Sequence, residues 1–100
     1  MKKFLLPFLL LAPALAFADD AATVIQKGRR FSVPEITIRQ GASLGVTNDD
    51  EFIHQIYADG LFDSAERFPG QTLHETFPKS GTFEVRCHIH PKMKLVVHVN

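Results

Sequence analysis

Gly81-Thr82-Phe83-Glu84-Val85-Arg86-Cys87-His88-Ile89-His90-Pro91-Lys92-Met93 is the stretch that decides how this 100-residue chain reads. Its first half alternates: Phe83, Val85 and Cys87 fall on one side, and Thr82, Glu84 and Arg86 on the other. That is the period of a half-buried β-strand. Cys87 therefore points where the apolar side chains point, into an interior. Its second half drops the alternation and sets the imidazole of His90 and the thioether of Met93 close behind the thiol. Thiol, imidazole and thioether make a soft to borderline donor set.

The same period recurs on both sides of this stretch. Leu95 to Val99 puts Leu95, Val97 and Val99 inward, and Thr72 to Phe77 precedes the Ser80-Gly81 turn. In that earlier segment Glu75 shares a face with Leu73 and Phe77, a conflict that an edge strand relieves. Thr23 to Lys27, Glu35 to Arg39, Leu44 to Asn48 and Phe52 to Ala58 read as further strands, and Leu61 to Gln71 as a loop ending in Pro69-Gly70. Short alternating strands separated by turns indicate an all-β sandwich or barrel. No segment after residue 18 keeps a helical period.

The chain opens differently. Lys2 and Lys3 precede an apolar run from Phe4 to Ala18, which ends in Ala16-Phe17-Ala18 ahead of Asp19-Asp20. This pattern reads as a secretory signal peptide over residues 1–18, with one exported domain over 19–100. A membrane anchor is the competing reading, but the run is short for a span and is interrupted by Pro7 and Pro13. Without Lys2 and Lys3, nine basic residues face eleven acidic ones, a net charge of −2. That balance creates no field for nucleic acid. One cysteine cannot close an internal disulfide, so a lone thiol in an oxidising compartment needs another use, and metal ligation supplies one.

His54 shares the apolar face of its segment with Phe52 and Ile56. Alone it reads more readily as a core histidine than as a ligand. Beside Cys87, His90 and Met93 it completes a His₂Cys set with a weak axial methionine, a set that suits copper better than zinc, calcium or magnesium. His74 and His98 fall on outward faces and read as surface residues. Asp49-Asp50-Glu51 lacks the spacing of a calcium loop and reads as a solvated turn.

The stretch from Gly81 to Met93 resembles the copper-binding loop of the cupredoxins, the blue-copper proteins. Its Cys-x₂-His-Pro-x-Met spacing is similar to that of the short-loop, amicyanin-like members, and plastocyanins share the general plan. Asn48-x₅-His54 resembles the segment that carries the family's first ligand, and the likeness runs roughly from Pro34 to Val99. It implies a small Greek-key β-sandwich of about seven strands holding one copper ion that cycles between Cu(I) and Cu(II). By the same resemblance His54 and His90 are equatorial ligands, Cys87 the thiolate and Met93 the axial ligand. Asn48 then supports the site, its backbone NH aimed at the Cys87 sulfur and its side chain tying the two ligand segments together. Pro91 stiffens the loop.

Two positions depart from the family pattern. His88 stands where a Ser or Thr is usual. Alternation turns it away from the sulfur, towards a supporting or solvent-facing place, with ligation as the alternative. Lys92 replaces an aromatic, which makes the rim around His90 partly basic together with Lys94.

No nucleophile–base pair and no phosphate-binding glycine loop is present, so the expectation is not an enzyme. It is a periplasmic, monomeric one-electron carrier with redox-protein partners and no membrane anchor after cleavage. The alternative is a copper-binding protein for tolerance or delivery that meets copper-handling partners, a reading motivated by His88 and the basic rim. A metal-free interaction domain is the third.

Overall fold

The computed structural model describes residues 19–90 and 92–100, so the expected signal peptide and Pro91 lie outside the described residues. Eight strands follow in order: β1 (Ala22–Gln26), β2 (Glu35–Ile38), β3 (Ser43–Asn48), β4 (Ile56–Ala58), β5 (Phe62–Asp63), β6 (Thr72–Thr76), β7 (Gly81–Cys87) and β8 (Lys94–Val99). They form two sheets, ordered β1-β3-β6 and β2-β8-β7-β4-β5. The pairs β1–β3 and β2–β8 are parallel and the remaining pairs antiparallel. The described residues contain no helix, and the architecture is the expected all-β sandwich.

Alternation explains the packing. On β7, Val85 and Cys87 are fully buried, and on β8 Leu95, Val97 and Val99 are buried between the sheets. On β3, Leu44, Val46 and Asn48 face in from the other sheet. At one end, where β7 begins opposite Val99, the filling is aromatic: Phe77 is fully buried with Phe62 and Phe83 each 6.0 Å from its ring. β6 is an edge strand, which leaves Glu75 half-buried. Burial pushes its carboxyl above the ordinary value.

The segment expected as one strand from Phe52 to Ala58 is a strand only from Ile56. Upstream, the chain loops through residues 49–53 and touches the sheet again at His54, in a bridge to Arg67. The expected loop from Leu61 to Gln71 contains both that bridge and the two-residue β5. Sparse pairing here leaves backbone groups for side chains to satisfy, and the polar residues gather at this end.

Candidate metal centre

The register places the thiol. Ile56 on β4 stands directly opposite Cys87 on β7, and the pairing runs one step further as the His88 NH donates to the Gln55 carbonyl at 2.8 Å. His54, two residues before Ile56, shares its inward face and so lies diagonally beside Cys87, a separation that large side chains span. His54 Nδ1 is 3.3 Å from Cys87 Sγ, and both side chains are fully buried.

The other nitrogen of His54 fixes the proton. Its Nε2 is 2.7 Å from Asp50 Oδ2. An ionised carboxylate only accepts, so Nε2 carries the hydrogen and donates it to Asp50. Nδ1 is left with its lone pair towards the sulfur, where it accepts from the Cys87 thiol. Asp50 also accepts from the Gly28 NH at 2.6 Å and the Arg29 NH at 3.3 Å. Both donors sit in a left-handed turn, with φ of 64° at Gly28 and 59° at Arg29, so that their NH groups converge. Burial alone would raise the Asp50 pKa, but the His54 ring and these two NH groups outweigh it and hold the carboxyl below its ordinary value. Asp50 is therefore no solvated turn residue. It is a buried anion bonded to the His54 ring.

A buried cation stands on the opposite flank. The backbones of His54 and Arg67 pair both ways, at 3.1 and 2.8 Å, which puts the two side chains on one face. The Arg67 guanidinium is buried, donating to the Val46 carbonyl at 2.9 Å and to Gln26 Oε1. Among the described residues it has no carboxylate partner. Burial pushes it below its usual range, and the neighbouring Cys87 sulfur opposes that shift. Its Nε and the Gln26 Nε2 are both buried without a partner.

Asn48 is fully buried, but its bonds differ from those the resemblance implies. Its NH donates to the Gln71 carbonyl at 2.9 Å, not to the sulfur. Its Nδ2 donates to the carbonyls of Phe52 and Arg67, and its Oδ1 accepts from the Asp50 NH. It thus ties the His54 loop to the Arg67 segment rather than to the Cys87 loop. The register explains the change: β3 pairs with β1 and β6, and the chain leaving Gly70 comes close enough to claim the Asn48 NH.

His90 stands at the mouth, partly exposed, its ring 5.2 Å from Phe52 and 5.6 Å from His54, edge-on to both. Its Nε2 is buried without a partner. Burial, with help from His54 and Arg29, holds its pKa below the ordinary value against a weaker pull from Asp50. A neutral ring with a free lone pair is the form a metal needs. Met93 is buried at 3% exposure and lines with His90, Arg29, Ile89 and Lys92 a hollow of about 530 Å³; its NH closes the loop onto the His90 carbonyl at 2.9 Å. Among the described residues no three His, Cys, Asp or Glu side chains form a closed metal-holding cluster. Cys87 and His54 are in contact, and His90 is one ring away.

His88 turns outward as alternation demands. Its ring stacks on Tyr57 at 4.2 Å, and its Nε2 donates to Asp63 at 3.0 Å. His74 and His98 pair with Asp20 and Glu35 at the surface. Sequence reasoning missed Asp50 and Arg67. The i, i+4 spacing of Asp50 and His54 was the one local sign for the first, and nothing local marks the second.

The orphaned His90 nitrogen, the thiol–imidazole contact and the buried thioether fit a soft metal such as copper. No protein-family model matches the chain, and no curated protein matches it in sequence. Solved structures do match. A purple cupredoxin from Nitrosopumilus maritimus superposes with a TM-score of 0.73 at 23% identity, over 79% of this chain and 99% of that one. The reduced Cu(I) form of an amicyanin point mutant gives 0.75 at 23% identity, over 84% and 86%. An oxidised amicyanin mutant gives 0.76 at 23% identity with the same coverage. The two sheets are those of the cupredoxin fold.

Proposed function

We propose that this chain is a mononuclear copper protein that carries single electrons in the periplasm, rather than an enzyme. One observation carries the reading: His54, locked by Asp50 in the Nε2–H form, presents Nδ1 to Cys87, both side chains fully buried, with the His90 ring 5.6 Å away and Met93 buried on the same loop. His54, Cys87 and His90 would hold the ion, with Met93 as a weak fourth ligand. Copper supplies the one-electron couple between Cu(I) and Cu(II).

The protein's own part is rigidity and electrostatics. The His54 ring cannot rotate without breaking its bond to Asp50, and its backbone is pinned by the pairing with Arg67. Cys87 is fixed by the β4–β7 register. Met93 is held by the turn onto His90. A ligand set that moves little between oxidation states exchanges electrons with little reorganisation. His90, at the mouth, is the short path to a partner. Export rests on the Lys2-Lys3 start, the apolar run and the Ala16-Phe17-Ala18 end. The engagement of His88 by Tyr57 and Asp63 removes one of the two motives for the tolerance or delivery reading.

The test is Cu(II) added to the purified domain from Asp19 to Asn100. An intense thiolate-to-copper absorption band that Cys87→Ser abolishes, with reversible voltammetry, is expected. A colourless protein, or a band that survives Cys87→Ser, sinks the copper site. Loss of copper at each reduction transfers the chain to copper delivery.

A further inference from the structure

The rim around His90 is built of cations. Arg29, Lys92 and Ile89 line the hollow with His90 and Met93. A second hollow of about 240 Å³ adjoins it and adds Arg30, Val33 and Lys94. Neither is lined by a carboxylate. Arg29 is exposed and lies over the Phe52 ring at 5.3 Å, a ring that also touches His54 and His90, so its charge sits beside the candidate ligands. Arg30 and Lys92 are exposed, and among the described residues no carboxylate pairs with either. Lys94 reaches Glu84 only at 4.0 Å. Val33 and Ile89 are two of the three large hydrophobic residues exposed among the described ones, at 37% and 48%.

This face opposes the charge of the whole domain, which is −2 over residues 19–100. Its placement is also secured from within. The left-handed turn that presents Arg29 and Arg30 is anchored by its NH groups on Asp50, and Asp50 is anchored on His54. The basic turn and the metal-facing histidine are thus parts of one hydrogen-bonded unit.

We infer that the face around His90 docks a redox partner through an acidic protein surface with a small apolar centre. The inference rests on the electron-carrier reading and names the partner's chemistry. Fields steer association by local charge, with on-rates raised at low ionic strength. A lipid surface is the weaker fit. Four cations contribute about 1 kcal/mol each at an anionic membrane, and the acidic remainder of the domain opposes them.

Oxidation of the reduced copper protein by small complexes of opposite charge tests this directly. If electrons leave through the basic face, hexacyanoferrate(III) reacts faster at low salt and slows as salt is added. Tris(phenanthroline)cobalt(III) shows the reverse. The net charge of −2 acting alone dictates the opposite pair of slopes, and that result overturns the inference. The double variant Arg30→Glu, Lys92→Glu, both exposed and outside the ligand set, is expected to lower the low-salt hexacyanoferrate rate about tenfold with the absorption band unchanged. An unchanged rate overturns it as well.

Titration of the copper-free domain with hexaglutamate, followed by amide NMR shifts, reads the face without any copper. Shifts at Arg29, Arg30, Ile89 and Lys92 support the docking face even if the copper reading fails. Shifts elsewhere, or none, reject it even if the copper reading holds. Co-sedimentation with phosphatidylglycerol vesicles, or dimerisation at low salt, would hand the face to a membrane or to a second copy and overturn the acidic partner.

Discussion

The two ends of this sandwich are filled with opposite chemistry. Where β7 begins, the interior is Phe77 with Phe62 and Phe83 against it, beside Leu44, Ile38 and Val99. Where β7 ends, the buried residues include Gln26, Asn48, Asp50, His54 and Arg67 beside Cys87, Ile56 and Met93. The aromatic end gains free energy from area removed from water. The polar end must recover the cost of desolvating an anion and a cation, and three of its buried polar atoms have no hydrogen-bond partner among the described residues. Stability and site are therefore carried by different halves of one core. A hollow of about 630 Å³ lies at the aromatic end beside Asp19 and Asp20. There Asp20 is already engaged, accepting from Ser43 and pairing with His74.

The largest effect should come from truncating the aromatic end. Phe77→Ala removes a fully buried ring and is expected to cost about 3–5 kcal/mol in denaturant unfolding. Whatever remains folded should bind copper with an unchanged absorption band. A changed band with little loss of stability would show that the halves are not separable.

Asp50→Asn attacks the other half. Hydrogen bonds to a charged group contribute roughly 1.5–3 kcal/mol, so a loss of that order at neutral pH is expected. The pH dependence gives the sign. The folded pKa of Asp50 lies below its unfolded value, so on acidification the unfolded chain takes up the proton first. The stabilisation is present above the ordinary carboxylate pKa and is lost as pH falls through the folded one. Unfolding curves of the Asn variant should lack that acid-range slice, and an identical pH profile would separate Asp50 from the stability of the site.

Arg67→Met should change stability less in net, because it relieves the desolvation of a buried charge while stranding the Val46 carbonyl and Gln26 Oε1, a loss of about 1–3 kcal/mol at most. Its signature is electrical. A buried positive charge disfavours the more positive, oxidised form of a metal–thiolate centre, so its removal should lower the reduction potential, while Arg67→Lys keeps the wild-type value more closely. Voltammetry of the three proteins decides it. Equal potentials in all three would leave Arg67 with packing alone.

The contrast also explains what could be read from the chain. Cys87 and His54 were legible because a strand period fixes a face, and Phe83, Val85, Phe52 and Ile56 declare which face is inward. Glu75 was legible as an edge residue by the same logic, and β6 is an edge. Asp50 and Arg67 were not. Each is pulled inward by groups distant in sequence: Asp50 by NH groups 22 and 21 residues away, Arg67 by Gln26 at a separation of 41. Local patterns carry no record of such pairings, and a run such as Asp49-Asp50-Glu51 looks solvated until its partners are known. The Asn48 NH was misassigned for a related reason, since the return of the chain at Gln71 depends on how an irregular loop closes.

The smallest effect should belong to His88, which sits at the polar end without belonging to it. Its ring lies outside the chamber, stacked on Tyr57 and bonded to Asp63, both side chains well exposed. An exposed pair of this type is worth about 0.2–1 kcal/mol, and the stacking adds a similar amount at most. His88→Thr, which installs a residue type usual in cupredoxins at this place, should therefore leave the absorption band where it is. It should cost no more than about 2 kcal/mol in unfolding. A shifted band would mean that the imidazole turns inward when the metal is bound. The boundary between the two chemistries would then run through His88 rather than between Cys87 and the surface.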